Sequence, residues 1–384
     1  MRRIYLDHAA TTPVRKEVVE AMKPFFDKKY GNASSLHRFG QDAKIALDES
    51  RHTIAKFLGA GDNEVIFTSG GTESDNLALI GTAFANRSKG KHIVTSKIEH
   101  HAVLHTCQWL EKNGFAVTYL PVDRYGFVDA GDVEKSLRDD TILVSIMHAN
   151  NEIGTIEPIE EIGRICNEHN VCFHTDAVQS FGKIPINMKY INLLSVSGHK
   201  VYGPKGIGLL FIRNGTRIEP ILHGGGHEKK MRSGTENIPG IVGFSKAVEL
   251  AGKEMKLESG REIKLRDKLI KNVLKIDNAY LSGHPKKRLP NNAGFWFKFI
   301  EGESLVLQLD SYGIAASTGS ACSSKSLEPS HVLKAIGLKH EECHGSLRMT
   351  LGRQNTSKDI DYTLDVLPKV VEKLRQISPF KKRW

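Results

Sequence analysis

Cysteine is scarce in this 384-residue chain, and none of it is paired in a metal or redox motif. The five cysteines stand at 107, 166, 172, 322 and 343, with no CxxC among them. That pattern excludes a disulfide framework and a structural zinc site, and it fits the reducing cytoplasm. Long apolar runs are also missing. No stretch approaches the length of a membrane span, and Met1-Arg2-Arg3 is not followed by the apolar core of a secretory leader. No internal repeat or low-complexity segment occurs. Aromatic residues make up 7% and are not interleaved with the basic ones. The net charge of +10, from 54 Lys plus Arg against 44 Asp plus Glu, is spread out, and only the tail Lys381-Lys382-Arg383-Trp384 is compact. Neither nucleic acid nor membrane is expected as a partner. The charge suits solubility, an anionic substrate or an acidic partner. Histidines at 100, 101 and 105 contain an i, i+4 pair, and His223 and His227 form another, but neither has a third ligand at suitable spacing. No metal centre is expected.

The length suffices for a large domain with a substantial core plus a smaller one. Helix-like spacing over 14–30, 41–58, 75–86, 103–112 and 159–169 alternates with short apolar runs at 65–68, 92–96, 116–120, 142–147, 171–173, 193–197 and 208–212. This alternation predicts an α/β fold, a mainly parallel sheet sandwiched by helices. In such sheets ligands bind at the carboxyl ends of the strands. A long charged helix over roughly 241–273 leads to a smaller α+β unit containing 293–297, 303–309 and 360–375.

The chemistry gathers at predicted strand ends. Ser195-Val-Ser-Gly-His-Lys200 closes one apolar run with a lysine able to condense with an aldehyde. Val171-Cys-Phe-His-Thr-Asp176 closes another with an acid able to keep a pyridine nitrogen protonated. Lysine and acid together are the pattern for pyridoxal 5′-phosphate (PLP). Gln179 faces the same ring edge. Ser69-Gly-Gly-Thr-Glu73 lies between a strand and a helix, where Gly71 permits close backbone approach to an anion and Thr72 adds a hydroxyl. Ser197 and His199 join Thr72 at the phosphate. His100 follows a strand and suits ring stacking or proton transfer. The amides of Met147-His-Ala-Asn-Asn-Glu152 suit a ring hydroxyl.

Two motifs lie outside this set. Ser317-Thr-Gly-Ser-Ala-Cys-Ser-Ser324 is a loop of small polar residues that leaves Cys322 exposed and reactive. Cys107, Cys166 and Cys172 fall in apolar patterns and read as core, whereas Cys343 is ambiguous. Gly345-Ser-Leu-Arg-Met-Thr350 places Arg348 inside a strand, where a buried guanidinium needs an anion and its fork suits an α-carboxylate. Arg353 lies beyond that strand.

Taken together, these motifs resemble the cysteine desulfurases, class V members of the fold-type-I PLP enzymes. The resemblance runs nearly the whole chain, through Tyr5-Leu-Asp-His-Ala-Ala-Thr-Thr-Pro13, Gly31-Asn-Ala-Ser-Ser-Leu-His37, Thr68 to Asn76, His148-Ala-Asn-Asn-Glu-Ile-Gly154, His223 to His227, Arg232-Ser-Gly-Thr-Glu-Asn237 and Ser317 to Pro329. The loop after Gly319 is similar to that of the group with a long cysteine loop feeding iron–sulfur cluster assembly. The resemblance implies a large PLP-binding domain over 15–250, with 1–14 and 251–384 forming a small domain that carries the cysteine loop at about 317–330. It implies that Lys200 carries PLP and that Cys322 takes the sulfur as a persulfide. It further implies that His100 stacks on the ring and shuttles protons, and that Asp176, Gln179 and Asn151 address the ring. Gly71, Thr72, Ser197, Gly198 and His199 are implied to surround the phosphate, with Thr235 reaching the phosphate of a second subunit in a homodimer. Arg348 is implied to hold the carboxylate of L-cysteine, with Asn151 beside it. The partner it implies is a sulfur-acceptor protein such as a cluster scaffold, with Cys322 a possible transient cluster ligand. One departure is at the end: bacterial relatives continue well past Ser378-Pro379, whereas five residues follow Pro379 here, so docking of a scaffold through such a tail is not expected. Selenocysteine lyase and a non-catalytic scaffold are the alternatives. An intact Lys200, Asp176 and Cys322 argue against the second, and a cysteine in the loop argues against the first.

Overall fold

In the computed structural model, residues 3–319 and 329–378 are described. Cys322 lies outside them. The apolar runs become strands of three sheets. In chain order these are β1 (Ile4–Tyr5), β2 (Val65–Thr68), β3 (His92–Ser96), β4 (Ala116–Leu120), β5 (Thr141–Ser145), β6 (Cys172–Asp176), β7 (Leu193–Ser197), β8 (Gly208–Ile212), β9 (Ala279–Ser282), β10 (Asn292–Phe297), β11 (Ile314–Ala315) and β12 (Ser346–Thr350). Seven of them form one sheet in the order β2-β8-β7-β6-β5-β3-β4. Only β8 runs against its neighbours β2 and β7; the other pairs are parallel. β2, β3, β5, β7 and β8 are buried along their whole length, as expected of a sheet covered on both faces.

Helices supply the two covers. On one face Phe173, Phe211 and Val196 meet Ile54, Phe181 and Phe244; on the other Ile93 and Leu143 meet Val103, Cys107 and Leu110. Each fully buried side chain of this size contributes roughly 1.5–3 kcal/mol. A third cluster gathers Ile4 and Leu6 of the N-terminal segment with Phe295, Phe297, Leu309, Leu347 and Leu367 around the antiparallel sheet β9-β10-β12. The helix Ile238–Val273 runs between the groups: Phe244 and Val248 pack in the first core, Leu265, Leu269 and Val273 in the third.

Some elements differ from the sequence pattern. The helix expected over 14–30 is broken into Lys16–Met22 and Pro24–Asp27, because Pro24 has no N–H to donate and starts a new first turn. The helix expected at 75–86 begins earlier, at Gly71, and passes through a wider turn at Leu77–Gly81 before resuming at Thr82–Asn86. β5 stops at Ser145 rather than at 147, since the Met147 N–H turns to the Glu99 carboxylate, 3.1 Å away. Among the described residues no helix is long and apolar enough to cross a membrane.

Candidate active site

The carboxyl ends of β2, β3, β5, β6 and β7 open on the same edge of the large sheet, and the segments leaving them build one cavity of about 310 Å³. Gly71, Thr72, His100, Asn151, Asp176, Gln179, Ser197, His199, Lys200 and Arg348 all line it. Gly198 and Thr235 do not. Gly198 sits behind the wall, its N–H donating to Ile207 O and its carbonyl accepting from Val201 and Gly203. Thr235 is exposed on the loop before the long helix.

After β2 the chain turns at Gly70 (φ +156°) directly into the helix Gly71–Asn76. A Cβ at Gly71 would stand 2.7 Å from Val178 Cγ2, so glycine is needed for the chain to pass so close to the segment after β6. The first turn of this helix presents free N–H groups, suited to an anion. Glu73 ties the turn down: it accepts from Ser69 N at 2.9 Å and pairs with Arg232 at 2.8 Å.

Asp176 ends β6 and is buried, with Oδ1 accepting from Val178 N at 2.8 Å. Burial pushes its carboxyl up to about 6, opposed by the Val178 N–H and the Lys200 ammonium. Asp75 is also buried, and its carboxyl is raised by burial and by Asp176. Its Oδ1 makes no hydrogen bond among the described residues and lies 3.7 Å from His174 Nε2. Burial holds His174 neutral, and its ring bridges Ser145 and Ser195 at 2.8 and 3.0 Å. This places two buried acids beneath the cavity, and a protonated ring nitrogen would supply a positive partner for Asp176.

Lys200 follows β7 on a tight turn, and its Nζ donates to the carbonyls of Ala9 and, at 2.7 Å, Ala10. Gln179 also reaches Ala9 O, at 3.0 Å. The N-terminal segment therefore forms one wall, fixed to the Lys200 turn by Thr12 N donating to His199 O and by Thr11 Oγ1 3.1 Å from His199 Nδ1. His100 caps the helix His101–Lys112, its Nδ1 accepting from Ala102 N at 3.1 Å, which leaves Nε2 for the cavity. Burial, helped by His101 and Lys200, lowers its pKa to about 4, so the ring is neutral at pH 7. Behind it Glu99 joins the ends of β3 and β5, accepting from Ser96 Oγ at 2.6 Å and from Met147 N.

Arg348, 4% exposed on β12, points in from the third cluster. Its Nη2 donates to Asp7 at 2.9 Å and its Nη1 to Asn151 O at 3.2 Å, while its buried Nε has no partner among the described residues. Arg353 turns away to Glu254. Asn151 thus meets Arg348 through its backbone. The neighbouring Asn150 side chain shapes the turn, accepting from Glu152 N and Ile153 N at 2.8 and 3.0 Å.

Four of the five cysteines are described. Cys107, Cys166 and Cys343 are buried, while Cys172 is half-buried. Burial raises all four thiols, Cys343 up to about 11 and Cys172 up to about 12. Sequence reasoning did not pick out Asp7, Asp75, Glu99, Glu152 or the Ala9 and Ala10 carbonyls. Glu152 carried a visible signal, an acid inside the polar run Asn150-Asn151-Glu152.

These features, a lysine and an acid at adjacent strand ends of a mostly parallel sheet with an anion cradle beside them, define a PLP-type site. The chain belongs to the class-V aminotransferase family, whose model matches residues 4–363. Over its whole length it is similar to proteins named cysteine desulfurase IscS. The relative from Dictyoglomus turgidum is 59% identical over 386 residues, covering 100% of this chain and 98% of the relative. The one from Methanosarcina thermophila is 59% identical, covering 98% and 94%. Among solved structures, one described as a NifS-like protein superposes with a TM-score of 0.92 at 40% identity over 97% of this chain and 100% of its own. Another, described as SspA in complex with cysteine, superposes with a TM-score of 0.80 at 40% identity over 91% and 98%.

Proposed function

We propose that this protein is a PLP-dependent cysteine desulfurase. It converts L-cysteine to L-alanine and passes the sulfur, through a persulfide on Cys322, to an acceptor protein such as an iron–sulfur cluster scaffold. The observation that carries this reading is the meeting of Lys200, Asp176 and Arg348 in one cavity. PLP, when bound, supplies an electron sink for the α-carbon of the substrate. Lys200 would hold the cofactor covalently and move the α-proton. Asp176 would keep the proton on the ring nitrogen, and Gln179 and Asn151 would address the ring edge. The first turn at Gly71 and Thr72, with Ser197 and His199, would receive the phosphate, and Gly198 would shape the turn behind them. His100, neutral at pH 7, lines the same cavity and would take or give a proton at Nε2.

The Cys322 thiolate attacks the substrate sulfur. The Cys322 S–S bond forms and the substrate Cβ–S bond breaks, with the electron pair left on carbon and protonated to give alanine. The net change is L-cysteine plus thiol to L-alanine plus persulfide. The four described cysteines support this choice, because their raised pKa values keep them as thiols at neutral pH, and the thiolate is the nucleophile.

We also propose the division into a large unit over 15–250 and a small one over 1–14 and 251–384, supported by the separate clusters. A homodimer is supported by exposed Phe26, Tyr30, Leu36 and Phe39, of which Tyr30 and Phe39 stack at 5.5 Å. In it Thr235 reaches the partner's phosphate site.

Incubation of the purified protein with L-cysteine and a thiol reductant tests the reaction: L-alanine and sulfide are expected in equal amounts, and pyruvate in place of alanine contradicts it. Arg348→Ala removes a charge-assisted fork worth about 1.5–3 kcal/mol, so kcat/KM is expected to fall by roughly one to two powers of ten with PLP content unchanged. Arg348→Lys restores little, because an ammonium cannot form the fork. Unchanged affinity for L-cysteine in Arg348→Ala removes this residue from the substrate site.

A further inference from the structure

Glu152 stands in the same cavity with no part in the chemistry above. It is 7% exposed, and its position is fixed from several sides. Its N–H donates to Asn150 Oδ1 at 2.8 Å, and its carbonyl accepts from Asn292 Nδ2 at 3.3 Å. Its Oε2 accepts from Ser330 Oγ at 2.5 Å, and a Cβ on Gly319 would come within 2.7 Å of that oxygen. The Ser330 hydroxyl thus holds the carboxyl in the cavity wall. The Arg348 guanidinium donates to Asp7 and Asn151 O, and Glu152 has a neutral hydroxyl as its donor, with no ion pair among the described residues.

We propose that Glu152 sets the charge of the substrate pocket, admitting a carboxylate beside Arg348 when protonated and opposing it when ionised. This rests on the desulfurase reading, in which Arg348 receives the carboxylate of the amino acid. A buried anion near the incoming carboxylate is poorly screened. Among the described residues, the charged and titratable groups around Glu152 are Arg348 with its partner Asp7, Asp75, His100, His101, His331, Cys343, Lys200 and Asp176. Burial lowers the pKa of His100 and His331, leaving them neutral, and raises that of Cys343, keeping it a thiol. Burial likewise pushes the Glu152 carboxyl up to about 7, opposed by Ser330 and Arg348, so it ionises near neutral pH.

The test is the dissociation constant of L-alanine for the holoenzyme, read from the visible absorbance between about pH 6 and pH 9, in wild type and Glu152→Gln. L-Alanine carries the carboxylate but no transferable sulfur. Asp176 and Glu99 titrate in both proteins and cancel in the ratio of the two constants. The ratio is expected near one at the acid end and roughly ten-fold in favour of Glu152→Gln at the alkaline end. With L-alaninamide, which has no carboxylate, it is expected to stay flat. Ser330→Ala, which removes the hydroxyl that stabilises the ionised form, should move the midpoint to higher pH. A ratio that does not change with pH, an equal change with L-alaninamide, or an unmoved midpoint in Ser330→Ala overturns the proposal. Failure of the desulfurase reading is distinguishable, because wild type would then give no absorbance change with L-alanine or L-cysteine at any pH.

Discussion

Cys322→Ser is expected to retain PLP and bind L-cysteine, yet to form L-alanine slower by roughly three to six powers of ten, the scale seen when a catalytic nucleophile is removed. The hydroxyl is a far poorer nucleophile toward sulfur than a thiolate. No described cysteine can take its place. Cys107 and Cys166 are buried in the sheet covers, Cys172 is pushed up to about 12 and Cys343 up to about 11, so none holds an appreciable thiolate fraction near pH 7. Cys343→Ser should therefore stay close to wild type in turnover. Alanine formation measured for both variants, beside cofactor absorbance, checks this. Normal turnover in Cys322→Ser with loss in Cys343→Ser shows that the wrong sulfur was chosen.

Lys200→Ala should lose covalently held PLP and, with it, the visible band that borohydride shifts. Turnover should fall by roughly two to four powers of ten from loss of the proton carrier alone. The fold should survive, because the N-terminal segment that Lys200 Nζ reaches at Ala9 and Ala10 is also held to the Lys200 turn by Thr12 N donating to His199 O. Lys200→Arg is the sharper control: a guanidinium keeps a donor at those carbonyls but cannot condense with an aldehyde. Covalent PLP persisting in Lys200→Ala would move the attachment to another lysine.

Much of this site was legible because it is built from strand ends. Asp176 and Lys200 each close an apolar run, and the geometry of a parallel sheet brings such ends to one edge regardless of their separation in sequence. Gly71 and Thr72 were legible for the same reason, as a turn between a strand and a helix. What could not be read were pairings made by tertiary packing. Asp7 meets Arg348 across 341 residues, and nothing in local periodicity records it. The Ala9 and Ala10 carbonyls act through backbone, which carries no side-chain signal. Glu228, Lys229 and Lys230 adopt positive φ in succession, a conformation that side chains disfavour. It persists where buried Glu228 pairs with Arg51 at 2.7 Å and accepts from Phe67 N at 2.7 Å. That is long-range compensation for local strain, and no glycine announced it. Pro24 was the opposite case, a visible local break overridden in the reading by the apolar spacing around it.

The central claim is that sulfur leaves L-cysteine onto Cys322. Peptide mass mapping of the holoenzyme after one equivalent of L-cysteine per site, without acceptor or reductant, tests it most directly. The account predicts one added sulfur atom on the peptide containing Cys322 and one L-alanine released per site. L-alanine formed while the added sulfur sits on another cysteine, or on none, contradicts it.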